Sequence, residues 1–266
     1  MKKIILLILA VITLQVARAQ DLYRKSAFSA SNSVTLNYRE MEPANADPNE
    51  KYPLVLFMHG AGERGSDNVK QLTHGSGMFE NPVNRAKYPA YVLFPQCPEN
   101  SYWAFKERPK TFTADSIPFT ETPAPLITAV KELLDNYIDR PEIDKNRIYI
   151  IGLSMGAMAT YELTGRYPDL FTAAIPICGT VNPKRLENAQ AVKYRIYHGD
   201  ADPVVPVAGS RNAYLKLKDI GAEVEYIEFP GINHNSWTPA FNQPDFMDWL
   251  FNQNKESNPE ADIKLD

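Results

Sequence analysis

The stretch Arg147-Ile-Tyr-Ile-Ile-Gly152-Leu-Ser154-Met-Gly156-Ala-Met-Ala159 changes character at its centre. Before Gly152 it is an apolar, β-branched run; after Ser154 it consists of helix formers. The pattern predicts a strand, a sharp turn and a helix, with Ser154 at the turn. Gly152 and Gly156 flank the serine because such a turn is strained and crowded, and side chains there collide with neighbouring backbone. An ordinary βα turn with an N-capping serine would use similar residues. The strand-turn-helix setting favours the other reading, a nucleophile presented at the end of a sheet.

Outward from this stretch, short apolar runs alternate with helical patterns. The strand candidates are Val34 to Arg39, Leu54 to Met58, Tyr91 to Phe94, Ile148 to Gly152, Ala173 to Ile177, Tyr194 to Tyr197 and Val224 to Phe229. Several are apolar on both alternations, as strands covered on both faces are. Leu126, Ile127, Val130, Leu133, Leu134, Tyr137 and Ile138 mark one face of a helix opened by Thr122-Pro123 and stopped by Pro141. A second helix follows Ser154 and fades at Tyr167-Pro168, a third around Arg211 to Ile220 ends on Gly221, and a last runs from Pro244 to Asn252. This alternation predicts an α/β fold, a mainly parallel central sheet with helices on both faces. No internal repeat or linker interrupts it, so residues 20–254 read as one catalytic domain. Ala61 to Pro89 and Gln96 to Glu121 resist regular assignment, and Lys255 to Asp266 reads as a polar, frayed tail.

A serine hydroxyl needs a base, and the base an orienting acid. In this architecture the chain order is serine, acid, histidine, each following a strand. Four histidines are available. His59 and His74 precede Ser154, and His198 precedes the acid candidates, which leaves His234 in Asn233-His-Asn-Ser-Trp237 as the base. The acid lies in His198-Gly-Asp200-Ala-Asp202-Pro203. Order alone does not separate the two aspartates; Asp202 is preferred because it lies further into the loop, whereas Asp200 beside Gly199 suits a turn. The developing oxyanion needs backbone donors, expected at Met155 and at Ala61 in His59-Gly-Ala-Gly-Glu-Arg-Gly65. A phosphate cradle is the rival use of a glycine-rich loop, but no Gly-Lys-Ser/Thr follows.

His59-Gly-Ala-Gly-Glu-Arg-Gly65, Pro95-Gln-Cys-Pro98 with Trp103, Gly152-Leu-Ser-Met-Gly156 and His234-Asn-Ser-Trp237 together resemble the α/β-hydrolase proteins described as predicted peptidases. These are related to dienelactone hydrolases and to the feruloyl and acetyl-xylan esterases of carbohydrate esterase family one. The resemblance runs from about Tyr23 to Leu250 and implies that Ser154, Asp202 and His234 form a triad. It speaks to the reaction class, a serine hydrolase, more than to the substrate, since members vary; the first expectation is an ester hydrolase acting on plant cell-wall polysaccharide esters, feruloyl before acetyl. A serine peptidase of prolyl-oligopeptidase type, a polyester or lipid esterase, and a non-enzymatic carbohydrate-binding protein are the competing expectations. Ala157 stands where many members carry a third glycine.

Residues 179–193 leave too little chain for a large cap, so an open cleft is expected. Tyr102, Trp103, Phe105, Phe112 and Phe119 of the insert, with Trp237, suit a phenolic acyl group or a sugar; Trp103 and Trp237 are the candidate substrate-binding walls, and the Phe residues read mainly as loop packing. The expected partner is an ester with a carbohydrate-linked or aromatic acyl group. The formal net charge of −4 disfavours a nucleic-acid surface. Lys2 and Lys3, the apolar run Ile4 to Leu14 and Ala17-Arg18-Ala19 predict a signal peptide over residues 1–19, cut after Ala19, with secretion or export to the periplasm and no membrane anchor. Cys97 and Cys178, at strand ends three sheet positions apart, are expected to remain free thiols. No His-Glu-x-x-His or comparable cluster points to a metal, and no cofactor is expected.

Overall fold

The apolar runs become strands buried on both faces. The computed structural model describes residues 22–113 and 116–255. In chain order the elements are β1 (Arg24–Ser29), β2 (Thr35–Met41), β3 (Tyr52–Met58), α1 (Ser76–Glu80), α2 (Pro82–Lys87), β4 (Tyr91–Pro95), α3 (Pro125–Ile138), β5 (Ile143–Leu153), α4 (Met155–Arg166), β6 (Ala173–Ile177), β7 (Lys193–Gly199), α5 (Ala208–Asp219), β8 (Val224–Phe229), α6 (Trp237–Phe241) and α7 (Phe246–Phe251). The eight strands form one sheet in the order β1-β2-β4-β3-β5-β6-β7-β8. From β4 to β8 all neighbours are parallel; β2 alone runs against its neighbours.

Side-chain alternation divides the interior into two cores. Leu54, Leu56, Ile148, Ile150 and Ile196 face α3, α4 and α5, whereas Val55, Phe57, Tyr149, Ile151 and Tyr197 face the side of α6 and α7. Each fully buried large apolar side chain here contributes about 1.5–3 kcal/mol. The covered parallel sheet is the expected α/β-hydrolase architecture. Between β6 and β7 the chain makes only two 3-10 turns, Pro183–Leu186 and Ala189–Ala191, and no large cap.

Four expectations need correction. Strand β1 is absent from the sequence reading because it is a polar, mostly exposed edge strand held by its pairing with β2. Residues 61–89 are not one irregular loop: two 3-10 turns and the short helices α1 and α2 lie within them. The helix expected from Pro244 begins at Phe246 and is preceded by α6. Helix α3 opens on Pro125, two residues after the expected proline.

Cys97 follows β4 and Cys178 follows β6, with β3 and β5 between those strands, and both are buried free thiols. Lys255, assigned to the tail, is instead tied to the carbonyls of Asp169 and Leu170. Residues 1–19, expected to be a signal peptide, and the tail beyond Lys255 lie outside the described residues. Among the described residues no helix is long and apolar enough to cross a membrane.

Candidate active site

Because β3, β5, β7 and β8 are parallel, their C-terminal ends deliver four loops to one edge of the sheet. Ser154 lies between β5 and α4 with φ 53° and ψ −115°, a strained conformation for a residue with a side chain. The two glycines permit it. A Cβ on Gly156 would lie 1.9 Å from the Met58 carbonyl oxygen, and one on Gly152 would lie 2.3 Å from the Gly156 oxygen. The Ser154 amide is fixed by the Ile177 carbonyl at 2.8 Å.

Ser154 Oγ lies 2.9 Å from His234 Nε2, and His234 Nδ1 lies 2.7 Å from Asp202 Oδ2. The structure thus brings together Ser154, His234 and, of the two candidate aspartates, Asp202. Asp202 Oδ1 accepts from the amides of Val204 and Val205, and Oδ2 also accepts from His198 Nε2 at 3.1 Å. Burial pushes this carboxyl up, but the bonds from His198, His234 and the two amides outweigh it and hold Asp202 well below the usual carboxylate range. It is therefore a charged acceptor at neutral pH. Asp200 faces elsewhere: its Oδ1 accepts from the Gly231 amide at 2.6 Å and braces the turn that precedes His234.

The two expected oxyanion donors sit at element starts. Met155 is the first residue of α4, and Ala61 opens a 3-10 turn after Gly60, so neither amide has an intrahelical partner. Gly60, Ala61 and Gly62 line the same cleft as Ser154 and His234. The loop that carries them is anchored by His59, whose Nε2 accepts from the Cys97 amide at 2.9 Å while Nδ1 donates to the Gly60 carbonyl at 2.6 Å. These partners assign the hydrogen to Nδ1. Burial lowers the His59 pKa to about 4, so the ring stays neutral.

The cleft has a volume of about 300 Å³. Trp237 forms part of its wall as expected, edge-on to His234 at 5.6 Å and tilted against His74 at 5.2 Å. Trp103 does not. It is fully buried, and its Nε1 donates to the His59 carbonyl at 3.2 Å, so it supports the loop that carries Ala61. The wall it was expected to supply comes from Tyr102 and Phe112, with Arg108 over the Phe112 ring and Val204 opposite. Phe105 stacks on Tyr102, and Phe119 lies under Arg185.

Sequence reasoning missed His59, His198 and the cleft position of Tyr102. Chain order set both histidines aside as the base, and it says nothing of a ring that supports a neighbour. Among the described residues, donor atoms of Cys178, Asp202 and His234 lie within 4.8 Å of one another, which makes them the group that could meet a metal ion. Their chemistry does not fit one well: Asp202 and His234 are bonded to each other, and burial pushes the Cys178 thiol far up, away from the thiolate a metal binds.

A profile of the family described as phospholipase/carboxylesterase matches residues 42–244. The chain is 41% identical over 139 residues to poly(3-hydroxyalkanoate) depolymerase C of Paucimonas lemoignei, covering 52% of this chain and 28% of that one. It is 28% identical over 198 residues to an endo-1,4-beta-xylanase/feruloyl esterase of Xylanibacter ruminicola, covering 71% and 25%. A solved thermostable esterase superposes with a TM-score of 0.80 at 37% identity over 88% of this chain and 64% of the other. The chain therefore spans only part of the length of these relatives. By its matched profile and its sheet it belongs to the phospholipase/carboxylesterase family of α/β-hydrolases.

Proposed function

We propose that the protein is an exported serine carboxylesterase that works through an acyl-enzyme on bulky esters, with feruloyl or acetyl esters of plant cell-wall polysaccharide as the substrate class. The observation that carries the reaction type is the unbroken line from Ser154 Oγ through His234 to Asp202 Oδ2, with steps of 2.9 and 2.7 Å. His234 Nε2 takes the hydroxyl proton as Oγ attacks the ester carbonyl, and Asp202 holds the imidazolium that forms. The tetrahedral oxyanion faces the amides of Met155 and Ala61. Its collapse breaks the bond to the alcohol, which leaves with the proton from His234. Water, deprotonated by the same imidazole, then releases the acid and restores Ser154.

The substrate class is supported by the uncapped cleft, by the aromatic wall of Tyr102, Phe112 and Trp237, and by the relative whose name includes feruloyl esterase. Aromatic rings suit a phenolic acyl group or a sugar face. Export is supported by the N-terminal pattern. A second reading, hydrolysis of hydroxyalkanoate polyester, is favoured by the depolymerase relative and by Val204, half-exposed at the cleft.

The test is to assay the purified protein and Ser154→Ala on methyl ferulate, p-nitrophenyl acetate, a 3-hydroxybutyrate oligomer and a prolyl peptide anilide. Methyl ferulate and the acetate are expected to turn over, and Ser154→Ala to be inactive. Turnover confined to the oligomer selects the polyester reading, turnover confined to the anilide selects a peptidase, and activity surviving in Ser154→Ala refutes the serine mechanism.

A further inference from the structure

The end of β7 sends a second imidazole to Asp202. His198 is fully buried, and its Nε2 lies 3.1 Å from Asp202 Oδ2 and 3.0 Å from the Val205 carbonyl. Both partners only accept, so Nε2 carries the hydrogen. Nδ1 lies 2.7 Å from Ser210 Oγ, whose hydroxyl also reaches the Gly179 carbonyl at 3.2 Å. The ring is thus held at both nitrogens, by β7's own loop on one side and by α5 on the other. Oδ2 of Asp202 is shared between His198 and His234, and a carboxylate divided among several donors gives less of its charge to any one of them.

We propose that His198 is a positioning residue for ester hydrolysis, fixing Asp202 Oδ2 against His234 and moderating the charge that His234 feels. The role rests on the reading of Ser154, Asp202 and His234 as the reacting set. The other titratable groups around the pair are the Cys178 thiol after β6, Tyr161 of α4 beside Ser210, and Glu228 of β8, which is held by Arg211 and Tyr226. His198 and His234 are the two that bond Oδ2.

Asn and Gln separate the two ends of the ring. An Asn amide reaches the place of Nδ1, towards Ser210; a Gln amide reaches that of Nε2, towards Asp202. In His198→Asn, kcat on p-nitrophenyl acetate is expected to fall roughly tenfold with KM unchanged. The acid limb of kcat/KM should also move up by about half a pH unit or more, because a carboxylate with one donor fewer binds the protonated base more strongly. His198→Gln should restore both towards the wild type. A folded His198→Asn whose acid limb superimposes on the wild-type limb, or a Gln variant no better than the Asn variant, overturns the role. If His198→Asn does not fold, Ser210→Ala, which frees Nδ1, carries the test: a smaller shift in the same direction is expected, and an unmoved limb overturns the proposal. Ser154→Ala separates the two failures. Activity that survives it removes the serine-hydrolase reading, whereas its inactivity beside an unmoved limb in His198→Asn removes only the role of His198.

Discussion

Trp103 Nε1 donates to the main-chain oxygen of His59 across 3.2 Å, and the two rings meet edge to face at 5.2 Å. The indole is therefore a foundation for the loop that carries Ala61. Trp103→Ala should destabilise the fold by about 3–5 kcal/mol through the cavity it leaves. Trp103→Phe should lose only about 1 kcal/mol for the missing hydrogen bond while lowering kcat more than it raises KM. Thermal unfolding and steady-state kinetics on one preparation check both.

The glycines around Ser154 differ from those in the oxyanion loop. Gly156→Ala would put a methyl group 1.9 Å from the Met58 oxygen, and it should be insoluble or destabilised by more than about 4 kcal/mol. At Gly62 a Cβ meets nothing within 4 Å, so Gly62→Ala should fold with a midpoint equal to or above the wild type. Denaturant midpoints for the pair decide this.

Asp202 and Asp200 sit two residues apart and face different partners. Asp202→Asn should lower kcat by roughly 10³- to 10⁴-fold, since the amide no longer holds His234 in its working tautomer. Asp200→Ala should keep kcat within a few-fold and lose about 1 kcal/mol of stability with the bond to the Gly231 amide. Equal losses of kcat would show that the acid has been misassigned.

Acid stability should carry the signature of His59. Its folded pKa of about 4 lies below its ordinary 6.5, so between those values the unfolded chain binds a proton that the folded chain refuses. Stability is unaffected above pH 6.5 and falls as pH drops through the window, by up to about 3 kcal/mol at pH 4. Asp202 acts lower still: its stabilisation is present above the usual carboxylate pKa and lost as pH falls through its depressed value. Urea midpoints from pH 7 to 4 should decline less steeply in His59→Gln than in the wild type.

The insert before α3 is pinned to α4, the helix that follows Ser154. Glu162 of α4, mostly buried, bonds Arg166 Nε at 2.6 Å and Arg185 Nε at 2.9 Å, and both arginines donate to the Thr120 carbonyl. Glu162→Ala leaves two guanidinium groups buried without their anion and should cost about 3–5 kcal/mol. Limited proteolysis should then cut first near residues 119–122.

The sequence alone showed the alternation of strands and helices, the strand-turn-helix setting of Ser154 and the chain order that points to His234 and to an aspartate of the 200–202 loop. These are written in local chemistry: short continuous apolar runs, helical periodicity, glycines where a Cβ cannot fit, and a proline or glycine where an element stops. It missed β1, whose residues are mainly polar and mostly exposed and become a strand only by pairing with β2. It caught the ends of α4 but not its packing face, because a helix buried on nearly every side shows no apolar stripe. Which aromatic rings meet the cleft was settled only in three dimensions. Trp103 and Tyr102 are neighbours in the chain, yet one supports the oxyanion loop and the other lines the cavity, since the irregular backbone between β4 and α3 has no fixed period to assign its side chains. The placement of His198 on Asp202 likewise required the tertiary fold: Ser210 on α5 must come in behind β7 to turn the imidazole towards the carboxylate, and no spacing along the chain records that contact.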